Sequence, residues 1–270
     1  MSTMVSRMIP PDWGDNVTMT EAEDPALTVT FAGSGDAFGS GGRYQACIHL
    51  RGSGQDPVLL DCGATSLSAL KRLGLDPGEI AAVFVSHLHG DHFGGLPFLI
   101  LDGQFSRRTK PLTVAGPPGL ARRLTDAMEC MFPGSSTAAR RFGLDTVELN
   151  PGSTRTVSGV TVSAWEGDHP SGALALILRL DLAGKALAYT GDTAWTSAVA
   201  AAAAGTDLLI AEAYYRDKNI PYHLRLADLD AHRDQLTARR IIVTHMSADM
   251  LDHQQQVSFE FAHDGLVARL

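Results

Sequence analysis

The chain has few cysteines, a shortage of positive charge and no long apolar run. Cys47, Cys62 and Cys130 are the only three cysteines in 270 residues. They are too few and too scattered for a disulfide framework or a zinc ribbon, so reduced thiols and a cytoplasmic setting are expected. Lys and Arg number 22 against 30 Asp and Glu, a formal net charge of −8. A broad nucleic-acid footprint needs a basic face, and this balance argues against one. The two basic clusters, Arg107–Lys110 and Arg122–Arg123, read as solvated surface charge. No apolar run reaches membrane-spanning length. The first 26 residues, Met1–Ala26, lack the continuous apolar core of a signal peptide. They are expected to form a tail or strap, with Trp13 able to dock. No repeat and no long linker interrupts residues 27–270, so one large domain is expected there.

What the chain does have is a regular supply of short apolar strands. Alternation and apolar runs predict strands at 27–33, 45–50, 57–61, 81–86 and 112–116. Further strands are predicted at 147–150, 159–165, 173–180, 186–192, 207–213 and 240–246, with a last edge strand at 264–270. Helical spacing marks 65–74, 95–103, 119–132, the alanine-rich 194–205 and 226–236. Consecutive hairpin-like strands open each half, which argues against a purely doubly wound sheet. Two sheets packed face to face, with helices outside, fit better.

The stretch "SHLHGDHFGG", Ser86 to Gly95, concentrates His87, His89, Asp91 and His92 in six positions. Imidazole and carboxylate are the side chains that bind borderline transition metals. A buried strand precedes the cluster, and a rigid element is what a metal site needs behind its ligands. Gly90 is expected to permit the sharp backbone that lets the side chains converge. Three more candidates, His169, Asp192 and His245, each stand at the end of a predicted strand. Five histidines and two aspartates exceed the need of a single ion and suggest two, bridged by one carboxylate. His49, His232, His253 and His263 carry no such context and read as packing or surface residues.

"HLHGDH" resembles the HxHxDH signature of the metallo-β-lactamase superfamily, and His169, Asp192 and His245 follow in that family's order. The resemblance runs from about Leu27 to the C-terminus. It implies an α/β fold, the αββα four-layer sandwich of two mixed β-sheets flanked by helices. It also implies two divalent metal ions. His87, His89 and His169 would hold one ion, Asp91, His92 and His245 the other, and Asp192 would bridge them. Zinc is the first expectation, with manganese and iron compatible with the same ligand types.

Finer features resemble ribonuclease Z and its small phosphodiesterase relatives. They are the glycine-rich "FAGSGDAFGSGG", the pair "HFGGLPFLI" and "PLTVAGPPGL", and "DLLIAEA". Glu212 matches the glutamate of the His-Glu-Ala-Thr motif, while Ala211 and Tyr214 depart from its histidine and threonine. "PYHLRLADL" resembles the segment with the catalytic histidine, and His223 lies 22 residues before His245. The implied reaction is phosphodiester hydrolysis by water activated at the metals. His223 would protonate the leaving oxygen, Glu212 would fix its tautomer and raise its pKa, and Asp91 would orient the attacking oxygen.

The sequence has no glycine- and basic-rich arm of the kind that grips tRNA. With the acidic balance, this disfavours tRNA and favours a small-molecule or nucleotide-like substrate such as a cyclic nucleotide or cyclic sugar phosphate. No membrane partner is expected, and a homodimer is left open. Arg43 is a candidate contact for an anionic substrate or a structural ion pair. The alternative function keeps the site and turns over esters, thioesters, lactones or activated carbon centres. A non-catalytic metal-binding module is the third reading, weakened by the intact ligand set.

Overall fold

The computed structural model describes residues 25–270. The expected N-terminal tail and the docking of Trp13 lie outside the described residues, apart from Pro25 and Ala26. In chain order the elements are β1 (Leu27–Gly33), β2 (Cys47–Gly52), β3 (Val58–Leu60), α1 (Ser66–Arg72) and β4 (Ala82–Phe84). Next come α2 (Gly90–Phe93), α3 (Leu96–Phe105), β5 (Leu112–Gly116), α4 (Leu120–Met131) and β6 (Leu144–Glu148). The second half has β7 (Thr154–Val157), β8 (Val160–Gly167), β9 (Ala175–Leu182), β10 (Lys185–Tyr189), α5 (Ser197–Ala203) and β11 (Leu208–Glu212). It ends with α6 (Leu226–Ala231), β12 (Ile241–Thr244), α7 (Ala248–Asp252), β13 (Glu260–Phe261) and β14 (Val267–Arg269).

These strands form two seven-stranded sheets, ordered β14-β1-β2-β3-β4-β5-β6 and β13-β12-β11-β10-β9-β8-β7. Both are mixed. β1, β2 and β3 pair antiparallel, and β3 through β6 pair parallel. β7 through β10 form an antiparallel meander, and β10 through β13 run parallel. Three apolar layers follow from the period-2 alternation of side chains along the strands. Val29, Phe31, Leu60 and Phe84 of the first sheet meet Leu178, Leu180, Leu187 and Ile210 of the second between the sheets. Leu59, Val83 and Val114 turn outward against Leu70, Leu96, Ile100 and Leu124 of the helices. Leu209, Ala211 and Val243 turn outward against Val199, Ala202, Leu229 and Met250. This is the expected αββα sandwich.

Strand direction decides where a site can form. β8 is antiparallel to β9, and β9 to β10, so β8 points the same way as β10, β11 and β12. By the same count β1 points with β3 and β4. The loops that leave the C-terminal ends of these seven strands open on one edge of the sandwich. The two sheets are stitched there by Leu176 N–H to the Ser86 carbonyl at 2.8 Å and His245 N–H to the Ser34 carbonyl at 3.1 Å.

His49, on β2 between Thr30 and Leu59, is buried, and burial first, then Arg51, push its imidazole down to about 4. Above an ordinary value near 6.5 both folded and unfolded chains carry it neutral. As the pH falls from there towards 4, the unfolded chain takes up a proton that the folded chain refuses. Replacing His49 by Gln is therefore expected to remove a loss of stability of about 3 kcal/mol between pH 7 and pH 4. Urea unfolding of both proteins across that window checks it, and parallel profiles would contradict it.

Candidate metal centre and active site

The site begins where β4 ends. Val85 N–H bonds the Ala115 carbonyl at 2.7 Å, and Ser86 N–H bonds Asp61 Oδ1 at 2.7 Å. The backbone is thus held as His87 leaves the strand. His89 then precedes α2, a single turn that carries Asp91 and His92. Gly90 is not what makes this turn possible. It lacks a positive φ, and a Cβ placed on it would meet nothing within 4 Å. The close approaches lie instead at Gly63 and Gly95. A Cβ on Gly63 would stand 2.1 Å from the Asp91 carbonyl oxygen, and one on Gly95 would stand 2.2 Å from that of Gly63. Glycine at these two positions lets the α2 loop seat against the end of β3.

All seven candidate ligands converge. Ligand atoms of His87, His89 and His169 lie within 4.8 Å of one another, as do those of Asp91, His92, Asp192 and His245. Asp192 stands between the groups: its Oδ1 is 3.2 Å from His92 Nε2 and 3.7 Å from His245 Nε2, while its Oδ2 is 3.9 Å from His87 Nε2. His245 Nε2 is also 3.1 Å from Asp91 Oδ2. His49, His232, His253 and His263 join no such group among the described residues.

Hydrogen bonding fixes which nitrogen of His87, His92 and His169 faces inward. Asp61 lies at the end of β3 with φ 57°, a left-handed conformation uncommon outside glycine. Its carboxylate accepts from Ser86 Oγ and Tyr189 Oη, both at 2.8 Å, and from His92 Nδ1 at 2.7 Å. The one hydroxyl proton of Ser86 is spent on Asp61, so Ser86 Oγ accepts from His87 Nδ1 at 3.1 Å. The Nε2 lone pairs of His87 and His92 are thereby turned into the cluster. His169 Nδ1 donates to the Tyr222 carbonyl at 3.0 Å, which turns its Nε2 inward, 3.0 Å from His89 Nδ1.

The centre is built to receive positive charge. His87 Nε2 and Asp192 Oδ1 are buried without a hydrogen-bond partner. His92 Nε2 and His245 Nε2 face each other at 3.2 Å. Two inward lone pairs that close, in a buried setting, need a cation between them or a proton on one. Burial pushes His87 and His89 down, which favours the neutral rings that can donate a lone pair. Burial also opposes ionisation of Asp91 and Asp192, but His92 and His245 outweigh it and hold both carboxyls well below the usual range. On His245, Asp192, Asp91 and Glu212 overcome burial and push the ring up to about 10. Carboxylates that stabilise a proton there would stabilise a metal cation in its place. Imidazole and carboxylate donors at this spacing fit divalent transition metals.

Glu212 ends β11, fully buried, and accepts from Thr193 N–H and Leu224 N–H, both at 3.1 Å. His223 Nδ1 donates to Glu212 Oε1 at 2.5 Å and stands 3.8 Å from Asp192 Oδ2. Its own side chain is 21% exposed, so it closes the open side of the cluster. Burial lowers the His223 pKa, but Glu212 and Asp192 together raise it above the ordinary value. Ala211 faces the other way, into the apolar layer with Val199 and Leu229, so its departure from the histidine of the motif does not touch the site. Arg43 Nη1 donates to the Ala262 carbonyl at 2.7 Å, which gives it a structural role.

An αββα sandwich with this donor set at the C-terminal edge of its strands defines a hydrolase of the metallo-β-lactamase superfamily. The family described as Anti-Pycsar protein Apyc1 matches residues 27–267, and the chain belongs to it. Ribonuclease Z of Methanosarcina acetivorans is 24% identical over 283 aligned residues, covering 86% of this chain and 91% of that protein. The metallo-β-lactamase fold protein YhfI of Bacillus subtilis superposes with a TM-score of 0.72 at 21% identity, covering 92% of this chain and all of that one. Human tRNase Z, short form, superposes with a TM-score of 0.71 at 25% identity, covering 89% and 98% of the two chains.

Sequence reasoning missed Asp61, Ser86, Tyr189 and the Tyr222 carbonyl. A signal existed for Asp61, which ends a buried strand as Asp192 does. Four donors from three parts of the chain converge on Asp61, and asparagine tolerates its left-handed backbone while losing acceptor capacity. Asp61→Asn is therefore expected to lower the unfolding free energy of the metal-free protein by about 1–3 kcal/mol. Denaturant titration measures this, and an unchanged midpoint would contradict it.

Proposed function

We propose that this chain is a dinuclear metal-dependent phosphodiesterase that hydrolyses a small or nucleotide-like phosphodiester, such as a cyclic nucleotide or cyclic sugar phosphate. The observation that carries the reading is the His223–Glu212 pair, with Nδ1 to Oε1 at 2.5 Å, set beside the seven metal-ligand candidates. Expelling an alkoxide from a phosphodiester is slow unless the leaving oxygen is protonated. Ester or thioester cleavage with a stabilised leaving group needs no such donor.

In this reading His87, His89 and His169 hold one metal, Asp91, His92 and His245 hold a second, and Asp192 bridges them. Bound there, the ions would lower the pKa of a water and spread the charge that develops on a phosphate oxygen. Asp91 orients the attacking oxygen. Glu212 holds the Nδ1 proton of His223, so Nε2 is the atom that presents the second proton to the leaving oxygen. Glu212 and Asp192 favour the protonated ring, the form that can give up the Nε2 proton.

What surrounds the site supports a small substrate. No segment between consecutive strands or helices among the described residues is longer than thirteen residues, the length of 213–225. Such a segment offers no arm to span a tRNA, and the net charge of −8 offers no broad basic face. The same proposal takes zinc as the metal and residues 27–270 as the catalytic domain. It leaves room for a homodimer. The unpaired thiols of Cys47, Cys62 and Cys130 suit a cytoplasmic setting. No helix of the described residues is long and apolar enough to cross a membrane.

Elemental analysis of the reconstituted protein is expected to find about two metals per chain, with most of the content lost in Asp192→Ala. Retention of both metals by that variant would remove Asp192 from the ligand set. His223→Ala is expected to slow phosphodiesters with alkoxide leaving groups by about 100-fold or more, and p-nitrophenyl diesters far less. Fast ester turnover that ignores the substitution would overturn the phosphodiesterase reading.

A further inference from the structure

Tyr214 stands where the ribonuclease Z motif has a threonine. Its ring stacks on His223 with centroids 4.8 Å apart and planes 29° from parallel. The same ring lies 5.9 Å from that of His245. Tyr215 meets it edge-on at 4.9 Å and 86°. The placement is fixed by the backbone. Tyr214 N–H bonds the Leu224 carbonyl at 2.9 Å, next to His223, and its carbonyl accepts from Ser247 N–H at 3.0 Å, two residues past His245.

His223 needs such a neighbour. Glu212 grips one edge of the imidazole, at Nδ1. A single hydrogen bond leaves the ring free to pivot about that contact, and the side chain is open to solvent on one side. His169 meets the ring edge-on at 4.8 Å and 73°. A planar phenol lying on the imidazole face blocks the pivot by packing and favours a charged ring by its π-face. Threonine is too short to cover that face.

We propose that Tyr214 is a positioning residue for His223, holding Nε2 on the line to the leaving oxygen. The inference rests on the reading of His223 as the proton donor. It assigns the work to the aromatic ring, not to the hydroxyl. Protonation matters most for a poor leaving group, so loss of the ring should be felt selectively.

The test uses full-length, metal-reconstituted protein in four forms: the unaltered chain, Tyr214→Phe, Tyr214→Ala and His223→Ala. Each is assayed with bis(p-nitrophenyl) phosphate and with a 3′,5′-cyclic nucleotide, whose leaving group is an alkoxide. Tyr214→Ala is expected to lose about tenfold or more in kcat on the cyclic nucleotide and less than about threefold on the nitrophenyl diester. Tyr214→Phe is expected to stay within about twofold of the unaltered chain on both. Metal content and thermal midpoint, measured on every variant, show whether the site is intact. Equal losses on both substrates, no loss on either, or failure of phenylalanine to restore the rate would overturn the role of Tyr214 alone. A His223→Ala variant with no leaving-group dependence would overturn the donor assignment and this inference with it.

Discussion

The Asp61 carboxylate is the contact on which the site depends. It lies between the sheets, at the end of β3, and accepts from Tyr189 at the end of β10 in the other sheet. It also accepts from the backbone and hydroxyl of Ser86 and from His92. One buried anion thus ties the two sheets together at the edge where the ligands gather. It turns His92 directly, and it turns His87 through the spent proton of Ser86. Removing a group that satisfies so many buried donors leaves each of them to bear its own desolvation cost.

The fold supplies the rest by direction. Side chains that alternate along the strands fill three apolar layers, and the polar residues of the site gather where strands end. Because β1, β3, β4, β8, β10, β11 and β12 share one direction, their C-terminal loops meet. The meeting is strained. Asp61 and His245 at the site, and Tyr222 beside it, all adopt left-handed backbone with φ of 57°, 56° and 69°. Such conformations cost on the order of 1 kcal/mol or more each and persist where surrounding structure over-determines them. Here the determinants are visible. His245 is tied by its N–H to Ser34, and the Tyr222 carbonyl is held on the His169 ring.

Much of this was legible in the sequence. The histidine cluster announced itself by chemistry, and His169, Asp192 and His245 by standing where apolar runs stop. The strands read well because most are buried and apolar. β7 has no counterpart among the predicted strands because three of its four residues, Thr154, Arg155 and Thr156, are exposed and polar, which leaves no alternation to see. β13 is only two residues long and is defined by its partner, β12. Asp61 closes the predicted strand 57–61, and nothing near it in sequence marks its role, since its partners lie 25, 31 and 128 positions away. The Tyr222 carbonyl leaves no mark in the sequence, because every residue offers the same backbone carbonyl whatever its side chain. Gly90 misled in the opposite direction: a glycine among ligands invites a conformational explanation, yet the tight contacts belong to Gly63 and Gly95.

The central claim is that side chains following four strands, β4, β8, β10 and β12, surround a pair of cations with Asp192 between them. Anomalous diffraction from crystals of the metal-reconstituted protein measures this most directly. The account predicts two peaks about 3.5–4 Å apart, one among His87, His89 and His169 and the other among Asp91, His92 and His245, with an Asp192 oxygen on each side. A single peak at full reconstitution, or peaks away from these residues, would contradict it.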